Sequence, residues 1–332
     1  MNDNILEFKD VSIVYPLKKY TLRAVNKVSL GVKRGKITAL VGESGSGKTT
    51  LSSSIIDVIS EPGKIESGSI LFHDDNQDLE LTKLSKKQMR KFRWEKVSMV
   101  FQAAQSALNP VMTIRNQFYE TMKQHGDTRT KEEKEKHCME LLDYVKLDGK
   151  RVLDSYPHEL SGGMKQRVMI AFALLLKPKM IILDEPTTAL DVITQSYIFT
   201  LLRQINQEMG ISMLLMTHDI SVVARFADYI GVMYGGELME YGSVEDVFRY
   251  RNHPYTEGLI GATPSILGDT SLIHPIPGTP PNLQNMPIGC VFHPRCPYAK
   301  EICNKEKPEM RFDSEIHCFG KCHYYLGGKN DG

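Results

Sequence analysis

Residues 42–50 read GESGSGKTT and stand between an apolar, β-like run (ITALV, 37–41) and a stretch (SSSIIDVIS, 52–60) that reads as a helix. A strand feeding a glycine-rich turn that opens into a helix is the context required by G-x-x-x-x-G-K-[ST]. Gly42, Gly45 and Gly47 let backbone N–H groups turn inward onto an anion, and the following helix N-terminus adds its partial positive charge. Ser44, Ser46 and Thr50 complete the loop. Lys48 is then the cation for the outer phosphates of a nucleotide, and the Thr49 hydroxyl is placed to bind Mg²⁺. Such a loop alone would also suit a kinase, so the rest of the chain has to decide.

The sequence MIILDEP supplies a buried strand with Asp184 at its carboxyl end, where α/β sheets bind ligands. Asp184 is the expected Mg²⁺ carboxylate. Glu185, one residue further, is placed to accept a proton from an attacking water or to orient it. LSGGMKQR, residues 160–167, lies before a helix and offers Ser161 and the amides of Gly162 and Gly163 as a second anion-binding surface.

These segments, with Gln102 in VFQ, Ala189 to Asp191 in ALD and His218 in MTHD, follow the order and spacing of ABC-type ATPases. The resemblance covers residues 5 to about 250. It implies an α/β fold with a RecA-like core, an antiparallel β subdomain and an inserted helical subdomain. It also implies that two such domains dimerise head to tail, with ATP between one phosphate loop and the other domain's Ser161–Gly163 surface. On that pattern His218 is the switch residue at the γ-phosphate and Glu185. Gln102 resembles the lid glutamine that touches metal and attacking water. Asp191 matches the loop crossing the dimer interface, although an Asp there could equally cap the helix starting near Val192. Tyr15 resembles the adenine-stacking position, with Tyr20 as runner-up; either could instead pack on the β subdomain.

Composition narrows the alternatives. Lys plus Arg number 41 against 40 for Asp plus Glu, which gives no electrostatic reason to expect nucleic acid as the main ligand. Apolar runs such as Met180–Leu183 fall far short of the roughly 20 residues of a spanning helix. The acidic N-terminus, MNDNILEFKD, lacks the basic region of an export signal, so cytosolic folding is expected. Short β-rich runs fill residues 5–41, and the pattern turns helical from about Leu84 to Leu176. TRTKEEKEKHCMELLDYV reads as a solvated helix with Cys138 in its packing. YIGVMYGGELMEYG reads as a hairpin turning at Gly235 and Gly236. Ten of 16 prolines lie between Pro254 and Pro308, marking an irregular arm. The expected division is an ATPase domain over 1–250 with its helical part at 84–176, a proline-rich linker over 251–289, and a small irregular cysteine-rich module over 290–332.

FQAAQSALNPVMTI, HPYTEGLI, PGTPPNL and GCVFHPRCPYAKEIC extend the resemblance to nearly the whole chain and point to the ATP-binding subunit of oligopeptide and dipeptide importers. The implied partners are a second homologous ATPase (or an identical copy), two membrane permease subunits and an external binding protein, at the cytoplasmic face of the membrane. Five cysteines crowd the last 43 residues, which in a reducing compartment suggests a metal or cluster site. Cys290, Cys296, Cys303 and Cys322 resemble the ligand pattern of members carrying a four-iron four-sulfur cluster. Cys318 competes for the fourth place, His293, His317 and His323 keep zinc open, and free thiols or oxidised pairs are the third reading. Two other readings are a soluble ABC ATPase of DNA repair or translation, and a metal or redox sensor with a vestigial ATPase. The first lacks its long coiled coils, second ATPase unit and basic stripe; the second conflicts with intact Lys48, Asp184, Glu185 and His218.

Overall fold

The computed structural model describes residues 3–75, 77–102, 107–188, 190–263 and 275–324. In chain order, the first elements are β1 (Asn4–Pro16), β2 (Thr21–Lys33), β3 (Ile37–Val41), α1 (Lys48–Ile55), β4 (Lys64–His73) and β5 (Asp78–Glu80). Then come α2 (Lys86–Glu95), β6 (Val97–Val100), α3 (Ile114–Gln124), α4 (Lys131–Tyr144), α5 (Gly149–Asp154), α6 (Gly162–Ala173), β7 (Met180–Asp184) and α7 (Val192–Met209). The chain continues through β8 (Ser212–Thr217), α8 (Ile220–Phe226), β9 (Tyr229–Tyr234), β10 (Glu237–Ser243), α9 (Val244–Tyr250) and α10 (Pro254–Gly261). It closes with α11 (Glu301–Lys305), β11 (Arg311–Asp313) and β12 (Cys318–Gly320). Two compact units result: Met1–Lys83 with Met216–Gly332, and Leu84–Leu215.

The first unit contains an antiparallel sheet in the order β2-β1-β4-β5, which buries Leu6, Phe8, Val25, Ile70 and Phe72. It also contains the strand order β11-β12-β10-β9-β3. β3 runs parallel to β9, with Leu40 opposite Gly231. β9 and β10 form the expected hairpin, turning on Gly235 (φ 56°) and Gly236 (φ 81°), the left-handed pair that matches strand twist in a two-residue turn. The cysteine-rich end departs from the irregular module expected of it. β12 pairs with β10 and β11 pairs with β12, so a short hairpin continues the sheet. Strands of three residues are too short to show an alternation in sequence.

The helix expected over SSSIIDVIS lies earlier in the chain. It begins at Lys48, buries Leu51 and Ile55, and ends before Asp57, whose φ of 51° leaves the helical region. Gly47 stands at its N-cap, before the stretch SSSIIDVIS on which the expectation rested.

In the second unit β6 runs parallel to β7, with Ser98 opposite Ile181, and β8 neighbours β7. β6 is a strand inside the stretch read as helical; its four residues all lie buried, directly after a basic helix. Helix starts follow polar caps: Ser85 with Gln88 and Thr130 with Glu133 make reciprocal capping boxes. α4 buries Cys138, Leu141 and Leu142, and burial pushes the Cys138 thiol up to about 12, so this cysteine is packing, as expected. Phe172 packs against both Trp94 and Phe118, with a ring centroid 4.9 Å away in each case. Among the described residues no helix is long and apolar enough to cross a membrane.

Candidate functional site

The phosphate loop leaves β3 at Gly42, whose φ of 147° brings its backbone against β9: a Cβ there would meet the Met233 carbonyl oxygen at 2.1 Å. Gly47 (φ 97°) caps α1, and a Cβ on it would come within 2.5 Å of the Ala24 carbonyl oxygen. Both positions demand glycine by conformation and by space. The turn is held by Ser46 N–H donating to Glu43 O at 3.2 Å, and by Gly236 N–H donating to Ser46 O at 3.2 Å. Lys48 is buried; its ammonium donates to Gly42 O (2.7 Å), Glu43 O (3.0 Å) and Ser46 Oγ (3.2 Å). Thr49 and Thr50 lie in the first turn of α1, and Ser44 and Gly45 form the loop tip.

The other sequence-assigned groups of the nucleotide chemistry are divided between the units. In the first unit His218 follows β8 and is exposed, immediately before Asp219, which caps α8. Tyr15 is half-buried near the end of β1, with Cε1 2.6 Å from the position of a Cβ on Gly63. Tyr20 is exposed and accepts a hydrogen bond from Gln284 Nε2 at 2.5 Å.

In the second unit Asp184 ends β7 and is 2% exposed. Glu185 follows with φ 48°, a left-handed conformation that a side chain of this kind rarely adopts. Thr188 Oγ1 donates to Glu185 Oε2 at 3.2 Å, so the carboxylate is held on the turn after the strand. Nothing in the sequence signalled that backbone state. Gln102 is exposed just beyond β6. Residues 103–106, and with them part of the FQAAQSALNP segment, lie outside the described residues, as does Ala189.

Ser161 caps α6, accepting Met164 N–H on Oγ at 3.3 Å, and leaves the amides of Gly162 and Gly163 at the helix start. Asp191 caps α7: Oδ1 accepts Thr194 N–H (2.9 Å) and Oδ2 accepts Thr194 Oγ1 (2.6 Å). Those bonds hold its carboxyl below the usual range. Ser161, Gly162, Gly163 and Asp191 line one surface concavity with Arg167, Leu190, Ile193, Thr194 and Tyr197. Arg167 closes the LSGGMKQR motif but was given no role there, and its contact with Tyr197, the guanidinium 5.6 Å from the ring centroid, and Thr194 had no signal in the sequence because the pairing joins separate helices.

At the other end of the chain Cys290, Cys296, Cys303 and Cys322 line a single small cavity with His253, Phe292, His293, Tyr298, His323 and Tyr324. Burial pushes the Cys290 and Cys296 thiols up to about 11 and raises that of Cys322. Cys318 is buried elsewhere, with its Sγ 2.6 Å from where a Cβ on Gly242 would stand, and its thiol is pushed up to about 12. His317 is not part of the lining. Among the described residues, no three His, Cys, Asp or Glu side chains are gathered so as to hold a metal ion.

The profile of the ABC transporter family matches residues 25–188, and that of the oligopeptide/dipeptide transporter C-terminal region matches residues 239–303. The dipeptide transport ATP-binding protein DppD of Caldanaerobacter subterraneus subsp. tengcongensis is 44% identical over 326 residues, covering 98% of each chain. The chain belongs to the ATP-binding subunits of the oligopeptide/dipeptide ABC transporters. This ABC subunit is also 40% identical to the oligopeptide transport ATP-binding protein OppD of Escherichia coli K12, over 93% of its own length and 90% of that protein. The dimeric ABC transporter cassette MJ0796 superposes with a TM-score of 0.63 at 32% identity, over 72% of the ABC subunit and 98% of the cassette. The fold is therefore the ABC ATPase cassette, as the sequence resemblance implied.

Proposed function

We propose that this chain hydrolyses ATP to drive uptake of di- or oligopeptides through a membrane ABC importer. The observation that carries the reading is a complete phosphate loop, with Lys48 bonded to the loop's own oxygens, in a chain related over nearly its whole length to peptide-transport ATP-binding proteins. Those relatives' names support transport rather than DNA repair or translation.

In this reading the Gly42–Gly47 amides and Lys48 bind the phosphates, and phosphate oxygens replace the Gly42 and Glu43 carbonyls as acceptors of the ammonium. Glu185 takes the proton of the attacking water, its carboxylate steadied by Thr188, while His218 and Gln102 orient the γ-phosphate and that water. Ser161 with Gly162 and Gly163 serves the γ-phosphate bound by a second ATPase, homologous or identical, and Asp191 lies along that dimer contact. Tyr15 holds the adenine. The hydroxyl of Thr49, the carboxylate of Asp184 and the amide oxygen of Gln102 are hard oxygen donors that fit Mg²⁺, which when bound offsets charge on the departing phosphoryl.

We assign the working boundaries 1–250, 251–289 and 290–332 to ATPase, linker and cysteine module, with 84–176 as the helical part. Cys290, Cys296, Cys303 and Cys322 are proposed to hold a four-iron four-sulfur cluster; four thiols around one cavity walled by aromatic rings support that donor set. The cluster would supply structural closure of the C-terminal module. The chain acts at the cytoplasmic face of the membrane with two permease subunits and an external binding protein.

Reconstitution of the complex in proteoliposomes tests this. ATP-dependent peptide accumulation that stops with Glu185→Gln is expected; accumulation that continues unchanged with that variant would overturn the reading.

A further inference from the structure

Glu43, the first variable position of the phosphate loop, is gripped by the C-terminal part of the chain. Its carboxylate accepts two hydrogen bonds from one guanidinium: Arg295 Nη1 to Oε2 at 2.6 Å and Nη2 to Oε1 at 3.0 Å. Its backbone N–H donates to the Tyr255 hydroxyl at 3.0 Å. Arg295 is itself fixed, with Nε donating to Pro277 O at 2.7 Å, Nη1 to Tyr234 Oη at 3.3 Å, and the guanidinium carbon 5.7 Å from the Tyr234 ring centroid. The Arg295 side chain is only 6% exposed, so the fork is held in a buried frame. Tyr255 is fully buried, its ring tilted against Tyr234 and Phe292 with centroids 4.6 and 5.3 Å away.

We propose that Arg295 and Tyr255 are positioning residues for ATP: they hold the phosphate loop in its binding shape and neutralise the carboxylate it carries. A negative charge within an anion-binding loop opposes phosphate, and a bidentate Arg both cancels that charge and fixes the direction of the side chain. The Tyr255 hydroxyl engages the Glu43 amide, setting the orientation of the peptide at the start of the turn. The C-terminal region is thereby part of the nucleotide site, 252 residues away in sequence. The inference rests on the ATPase reading above.

Because the loop grips phosphates in the ground state and the transition state alike, its loosening raises KM and leaves kcat in place. A merely structural role would instead reduce the folded, active fraction and lower kcat at constant KM. Steady-state ATP hydrolysis and MgATP binding are measured on the full chain, wild type and variants. Arg295→Gln is expected to raise KM and Kd about tenfold with kcat within about twofold. Adding Glu43→Gln to it removes the unpaired carboxylate and is expected to recover most of the loss. Tyr255→Phe keeps the ring packing, deletes only the acceptor of the Glu43 amide, and raises KM in the same direction; it decides the matter if Arg295→Gln fails to fold. Unchanged KM in the folded variants, or a double variant no better than Arg295→Gln, would overturn the proposal. A wild-type chain that neither binds nor hydrolyses ATP would overturn the underlying ATPase reading instead.

Discussion

Gly42 and Met233 touch through their backbones: the space for a Cβ on Gly42 ends 2.1 Å away at the Met233 carbonyl oxygen. The glycine lets the phosphate loop fold against β9, and its φ of 147° closes the position to other residues a second way. Gly42→Ala is therefore expected to displace the loop and to lose ATP binding, with roughly 2–4 kcal/mol of lost stability from strain and steric conflict. Nucleotide titration and thermal unfolding check it. An alanine variant with normal affinity would mean that the loop does not bind phosphate in this form.

Glu185→Gln keeps the size of the side chain and an oxygen for Thr188 but cannot accept a proton. Hydrolysis should fall by about 10²- to 10⁴-fold, the range for a positioned general base, while ATP affinity holds. Single-turnover kinetics with a parallel binding titration separate the two. Wild-type turnover in this variant would remove Glu185 from the chemistry.

Much of this site is readable in sequence because its parts are local. The loop between ITALV and α1, and Asp184 at the end of β7, each occupy a few consecutive residues whose order fixes their setting. The failures have physical reasons. α1 starts at the Gly47 N-cap inside the glycine-rich loop, so a helix read over SSSIIDVIS was placed too late. β6 has only four residues, and β11 and β12 have three each, too few for a period to emerge. The left-handed backbone of Glu185 is imposed by the turn around it. The Glu43–Arg295 pair joins distant segments, and neither residue's own neighbourhood indicates the other.

Glu237 shows how charge fastens the C-terminal hairpin to β10. Its carboxylate is 3% exposed and meets Lys321 (2.5 Å), Lys307 (3.3 Å) and Asn26 Nδ2 (2.7 Å). Burial alone would raise its pKa, but the two ammonium groups and the hydrogen bonds outweigh burial and leave it below the ordinary carboxylate value. For an acid with a depressed folded pKa, the stabilisation is fully present above the unfolded pKa and is lost as pH falls through the folded one. Glu237→Gln should thus cost about 2 kcal/mol at neutral pH, with the gap to wild type shrinking below about pH 4.5. Denaturant unfolding of both proteins across pH tests this; a gap that widens in acid would contradict the sign.

The four-cysteine cavity makes a chemical prediction. Anaerobically purified protein should contain about four irons and four acid-labile sulfides per chain, with visible absorption to match. Cys290→Ser should lose the iron and expose the C-terminal arm to protease before the ATPase core, whereas Cys318→Ser should keep the iron, since Cys318 is buried against Gly242. Zinc in place of iron, or iron retained by Cys290→Ser, would remove the cluster assignment and leave the ATPase standing.

MgATP titration and turnover of the wild-type chain beside Lys48→Ala test whether the loop around Lys48 binds ATP for hydrolysis. Removal of the buried ammonium that faces Gly42 O and Glu43 O should weaken binding by about tenfold or more and abolish measurable turnover. Equal affinity and equal turnover in the two proteins would remove Lys48 and its loop from ATP binding.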